Sequence, residues 1–203
     1  MKTLRRSIPY NCLTFTFALV LFAVGGNVAW ADSGAASFSY IVFPGSFCAP
    51  APPCPDVARA ANGDTVEIAG AGTLSIHPKS VAGGGTFTHK NSAGAVIATG
   101  TWTAIELLSF NDYGPLPAAF GLPPTFHGGQ VFMRVHLSPS TGGAGFDAIL
   151  EVDCAANASF FGLPPGQLEG AAPEGHTEGV RLAVEGGPNF SQRVGGFTVF
   201  IVI

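Results

Sequence analysis

Gln130-Val131-Phe132-Met133-Arg134-Val135-His136-Leu137 sets apolar and polar side chains in turn, and Phe146 to Cys154 resumes the pattern after the loop Thr141-Gly142-Gly143-Ala144-Gly145. Side chains that alternate with a period of two line opposite faces of a β-strand, whereas a helix would group them every three or four positions. The first run puts Val131, Met133, Val135 and Leu137 on one face and Phe132, Arg134 and His136 on the other. The second run divides Ala148, Leu150, Val152 and Cys154 from Asp147, Ile149, Glu151 and Asp153. Two such runs separated by a glycine-rich loop read as two β-strands, each with its side chains divided between two faces.

The same style extends in both directions. Ser37 to Phe43 alternates, Thr65 to His77 does so around Ala69-Gly70-Ala71-Gly72, and Thr86 to His89 follows Gly83-Gly84-Gly85, which reads as a turn. Asn91-Ser92-Ala93-Gly94 is a turn before Ala95 to Thr99, Gly100 interrupts, and Thr101 to Phe110 continues. Gly179 to Val184 is a further strand, and Phe197 to Ile203, apolar almost throughout, predicts one buried on both faces. Asp56 to Ala61 has room for one helical turn at most. The expectation is an all-β chain: an antiparallel β-barrel or β-sandwich of about eight or nine short strands, with glycines at the sharp bends of a closing sheet.

At the N-terminus, Lys2, Arg5 and Arg6 precede an apolar run from Leu13 to Val24 and the small residues of Ala29-Trp30-Ala31. That combination predicts a secretory signal peptide over residues 1–31, cleaved after Ala31, and a secreted or periplasmic mature protein. The apolar run is too short for a spanning helix of about 20 residues, and no transmembrane helix is expected. Residues 32–60 then form an N-terminal strand and a Pro-rich arm, and 61–203 a single β domain. Removing three bases with the signal leaves six Lys and Arg against thirteen Asp and Glu, a charge of −7. So few bases exclude nucleic acid, which is held by clustered Lys and Arg. Hydrophobic residues make up 47% of the chain and charged ones 11%, which argues for a large core and against disorder.

Three cysteines remain after cleavage: Cys48, Cys54 and Cys154. Export favours a disulfide, and the odd count leaves one thiol over. Ala49-Pro50-Ala51-Pro52-Pro53, if held as polyproline, would keep Cys48 and Cys54 about 19 Å apart at roughly 3.1 Å per residue. A disulfide needs under about 7 Å. A local bridge therefore requires a turn, a bridge from either cysteine to Cys154 is the alternative, and all three reduced is the third. The C-x5-C spacing is not that of a zinc site, and no metal or cofactor is expected.

Familiar catalytic spacings are absent from the sequence: there is no Gly-x-Ser-x-Gly, no His-Glu-x-x-His and no phosphate-binding loop. The remaining candidates are polar residues of the two opening strands. If those strands pair, Arg134 and His136 stand near Asp147 or Glu151, either as solvated charge pairs or, inside a barrel, as a general-base or metal cluster. His77 and His89 fall on strands, His89 on the same face as Phe87. Phe120-Gly121-Leu122-Pro123-Pro124 recurs as Phe161-Gly162-Leu163-Pro164-Pro165, with His127 and His176 in the loops that follow, where they could ligate a substrate at one rim. Asn157-Ala158-Ser159 and Asn189-Phe190-Ser191 are sequons for glycosylation, relevant to export through the endoplasmic reticulum.

The run from Gly83 to Trp102, Gly-Gly-Gly-Thr-Phe-Thr-His followed by Gly94, Gly100 and Thr101-Trp102, resembles the Gly-punctuated hairpins of allene oxide cyclase and dirigent-type barrels. That resemblance implies a barrel that positions an apolar substrate rather than attacking it, and assigns no catalytic residue. Three classes of function follow. The first is a secreted, non-catalytic domain that binds a small apolar ligand or another partner, suited to abundant Phe and scarce charge. The second is an enzyme with a barrel-centred site. The third is a small outer-membrane β-barrel, against which stand the short strands and few aromatic girdle residues.

Overall fold

The computed structural model describes residues 36–43, 55–118, 121–155 and 176–203. Their order is β1 (Ser37–Val42), β2 (Asp56–Arg59), β3 (Thr65–Ser75), β4 (Ser80–Lys90), β5 (Val96–Pro115), β6 (Phe126–Pro139), β7 (Phe146–Cys154), β8 (Gly179–Val184), β9 (Asn189–Phe190), β10 (Gln192–Gly195) and β11 (Thr198–Val202). All pairings among them are antiparallel, and the fold is all-β as expected.

The strands close on themselves. β1 pairs with β3 and β11, β3 with β4, β4 with β5, β5 with β6, and β6 with β11 through Phe126 and His127, which completes a six-membered ring. Two branches leave it. β2 and then β10 extend from Thr65–Ile68 of β3, while β7, β8 and β9 extend from β6 beyond Gly129. β2 packs against β8, so the branches meet and enlarge the barrel on that side.

The β6 and β7 walls of the interior are apolar over most of their length. Val131, Met133, Val135 and Leu137 of β6 point inward beside Ala148, Leu150, Val152 and Cys154 of β7, all buried. Tyr40, Trp102 and Phe87 fill the opposite wall, and glycines make their seats. Tyr40 stands opposite Gly72, Trp102 opposite Gly85 and Phe87 opposite Gly100. A Cβ at Gly72 would lie 2.4 Å from the Tyr40 hydroxyl, and one at Gly100 would lie 2.6 Å from the Phe87 ring. Rings therefore lie across backbone where side chains are missing, an arrangement that helps pin sheet register. The polar ends of two rings bond to backbone: Tyr40 Oη donates to the Ala82 carbonyl at 3.3 Å and Trp102 Nε1 to that of Ala69 at 3.1 Å.

This corrects several expectations. Gly83-Gly84-Gly85 is not a turn but the middle of β4, paired with Gly72, Ala71 and Gly70. Asp56 begins a strand rather than a helical turn. His77 lies in the β3–β4 turn and His127 on β6 rather than in a loop. Among the described residues the strands number eleven, and β3 to β6 are long, at 11, 11, 20 and 14 residues. β5 runs unbroken across Gly100, and farther along three register shifts against β6, between Ala104 and Gly114, let it bend with the wall. Of β11, Thr198, Val199 and Phe200 are buried while Ile201 and Val202 are only partly so. Cys48, Cys54, the sequon at Asn157 and the second Phe-Gly-Leu-Pro-Pro copy lie outside the described residues; Cys154 is buried at the end of β7.

Candidate functional site

β3, β4, β5, β6 and β8 leave an apolar pocket of about 220 Å³, roofed by the β8–β9 turn. Val66, Phe87, Ala98, Leu137, Leu182 and Phe190 form its walls. The alternation that builds the core builds the pocket, because Phe87 and His89 are two residues apart on β4 and face the same way. Glycine at position 100 lets the Phe87 ring settle inward across β5. The volume exceeds the roughly 150 Å³ of an engineered apolar cavity that admits benzene.

Two polar side chains border this space. Glu185 lies at the rim, 61% exposed, and is bound by Arg134 Nη1 at 2.8 Å. His89 is deeper, 19% exposed, with its ring edge-on to Phe190 and Nε2 3.3 Å from Asp64 Oδ2.

A second cluster lies where β7 ends and β8 begins. Glu151, 6% exposed, accepts from Gln130 Nε2 at 2.6 Å, Arg193 Nη2 at 2.6 Å and Arg181 Nη1 at 3.2 Å. Arg193 also reaches Asp153, which is fully buried. His176 Nδ1 is 2.9 Å from Asp153 Oδ2 and 2.6 Å from Tyr113 Oη, whose hydroxyl donates to Asp153 Oδ1 at 3.3 Å. Burial raises the Asp153 carboxyl, while His176 and Arg193 draw it back. Burial and then the Asp153 charge push the Tyr113 phenol up, so its proton is firmly held. Chemically, an Asp–His pair beside a phenol donor has the parts of a general base.

Deeper still, Glu178 accepts from the Thr198 backbone N–H and hydroxyl, both at 2.8 Å, and from the Ala155 N–H at 2.8 Å. Desolvation pushes Glu178 up to about 7. Asp56, buried beside it, is raised by desolvation and then by the Glu178 charge; its Oδ1 has no partner among the described residues.

The six residues singled out on sequence do not form one site. His136 and Asp147 are opposite each other and bonded at 2.8 Å, but on a surface 45% and 40% exposed. Arg134 stands opposite Ile149, not Glu151, and pairs outward with Glu106 and Glu185. Glu151 and His176 belong to the second cluster, and His127 bonds Asp112 at 2.8 Å while packing against Phe38. Tyr113, Arg193 and Glu178 had no sequence signal, since their partners lie across non-local pairings. His89 did have one, in Phe87-x-His89. Among the described residues no group of three His, Cys, Asp or Glu is placed to hold a metal ion, and no helix is long and apolar enough to cross a membrane.

No protein family model, curated protein or solved structure matches this chain, and the likeness to allene oxide cyclase and dirigent-type barrels rests on Gly83 to Trp102 alone.

Proposed function

We propose that this is an exported β-barrel protein that holds a small apolar molecule in the pocket beside Phe87 and Phe190. The observation that carries the reading is the pocket itself: a recess walled by apolar side chains, with few polar groups on its border. The recess is open on the side of Phe146, Glu185 and Gly186, so a small molecule can reach its apolar walls from solvent. Export rests on the basic, apolar and small-residue succession of residues 1–31. The test is native mass spectrometry of protein isolated from its own host's exported fraction. A co-purifying small apolar molecule on a chain beginning at Asp32 supports both halves of the proposal. A chain still carrying residues 1–31 overturns export, and repeated isolation without ligand, joined to a failure to bind added hydrocarbons, overturns the binding role.

The enzyme reading is favoured by one arrangement, His176 between buried Asp153 and Tyr113. It predicts that any activity found is lost in His176→Ala and kept in His136→Ala; the reverse result removes it. The outer-membrane reading has the opposite burial pattern to this chain. Membrane barrels turn apolar side chains to lipid and polar ones inward. Here Tyr40, Trp102 and Met133 are inside, while Thr99, Thr101, Thr103 and Glu106 face out.

A further inference from the structure

We propose that the pocket selects apolar molecules carrying one hydroxyl group, with His89 Nδ1 accepting the hydroxyl proton. This deepens the binding role proposed above and rests on it. The argument starts from Asp64, whose Oδ2 lies 3.3 Å from His89 Nε2. A carboxylate only accepts, so in the neutral ring the proton resides on Nε2 and Nδ1 is left as an acceptor. Nδ1 has no partner among the described residues, and the ring keeps part of its surface accessible. The ring lines the pocket and is steadied edge-on by Phe190, with centroids 5.1 Å apart. Glu185, the other ionisable residue of the lining, sits at the solvent-exposed rim with its Oε1 bound by Arg134.

A ligand meeting these walls therefore finds mostly hydrocarbon contacts and, inward of the rim, the His89 acceptor. An alcohol or phenol satisfies it. A hydrocarbon leaves it dry, and an ether or ketone sets acceptor against acceptor. Carboxylates are disfavoured further by Glu185 at the rim and Asp64 behind the ring. The volume suits a monocyclic compound with a short alkyl substituent, somewhat larger than benzene.

The experiment uses three probes of matched shape, 4-ethylphenol, 4-ethyltoluene and 4-ethylanisole, titrated calorimetrically at pH 8.5, well above the ordinary imidazole range. Hydrophobic driving force differs among them, so the quantity read is the ratio of phenol to toluene affinity in wild type against His89→Leu. A net hydrogen bond predicts that this ratio falls roughly five- to tenfold in the variant, with the anisole-to-toluene ratio unchanged or raised. A phenol-to-toluene ratio equal in the two proteins overturns hydroxyl selection while the binding role stands. Absence of binding by all three probes overturns the binding role itself. Should His89→Leu fail to fold, ¹⁵N NMR of the wild-type histidines decides. The expected result is a proton on Nε2 of His89 and an Nδ1 resonance that moves with 4-ethylphenol and stays still with 4-ethyltoluene. A proton found on Nδ1 overturns the proposal.

Discussion

At Gly85 a Cβ would stand 1.9 Å from the carbonyl oxygen of Ala69, in the backbone of the neighbouring strand. No side-chain movement relieves that contact, so Gly85→Ala should cost about 2–3 kcal/mol by prising β3 from β4. Gly94 is the control: it has φ +84 and nothing within 4 Å, so Gly94→Ala strains only its own backbone, at about 1 kcal/mol. Urea denaturation midpoints of the two variants separate these values, and equal losses would refute the packing role given to Gly85. A different residue governs the pH dependence. Burial lifts Glu178 from 4.5 to about 7, so between those values the folded protein retains a proton that the unfolded chain has released. Stability is therefore full below about pH 4.5 and declines as pH rises through 7, by on the order of 2–4 kcal/mol. The raised Asp56 and Asp153 push in the same direction, while Arg193 opposes them. Unfolding midpoints at pH 5, 6, 7 and 8 should fall in turn for wild type and vary less for Glu178→Gln. A flat wild-type profile would contradict the assignment.

Among the elements, β10 is the one most dependent on charge. It is four residues long, pairs among the described residues with β2 alone, and is tied down by Arg193 on Glu151 and Asp153. Arg193→Met removes the buried cation that Glu151 and Asp153 share, leaving Glu151 the more exposed Arg181 and Asp153 its His176 contact, which should cost about 2–4 kcal/mol and speed amide exchange over residues 192–195. His136→Ala breaks an exposed pair and should stay within about 0.5 kcal/mol. A comparable loss in both would mean that burial is not what distinguishes them. Elements with strict alternation, β6 and β7 above all, were legible in the sequence to their faces, because local period alone decides them. β2, β9 and β10 were not, being too short for a period to show and flanked by Pro55, Pro188 and Ser191. The glycines of β4 read locally as a turn; only their cross-strand partners reveal that aromatic rings occupy their missing side chains.

In the whole molecule, closure depends on β1 meeting β11, a pairing of Phe38 with Val202 and Val42 with Thr198 across nearly the full described chain. Such partner choice has no local signature, which is why barrel and sandwich were indistinguishable on sequence while the all-β class was plain. The candidate residues divided for the same reason: His136 and Asp147 are joined by adjacent strands, whereas Arg193 and Tyr113 reach Asp153 from remote ones. Pocket and polar cluster are both products of that long-range assembly, and the pocket is the claim on which the functional account turns. Its most direct test is calorimetric titration of 4-ethyltoluene into wild type and into Ala98→Trp, whose indole would fill the space, with near-UV circular dichroism verifying that the variant is folded. The account predicts saturable one-to-one binding by wild type and at least about tenfold weaker binding by the variant, the loss of roughly 1.4 kcal/mol or more. No saturable binding by wild type, or equal binding by both, would contradict it.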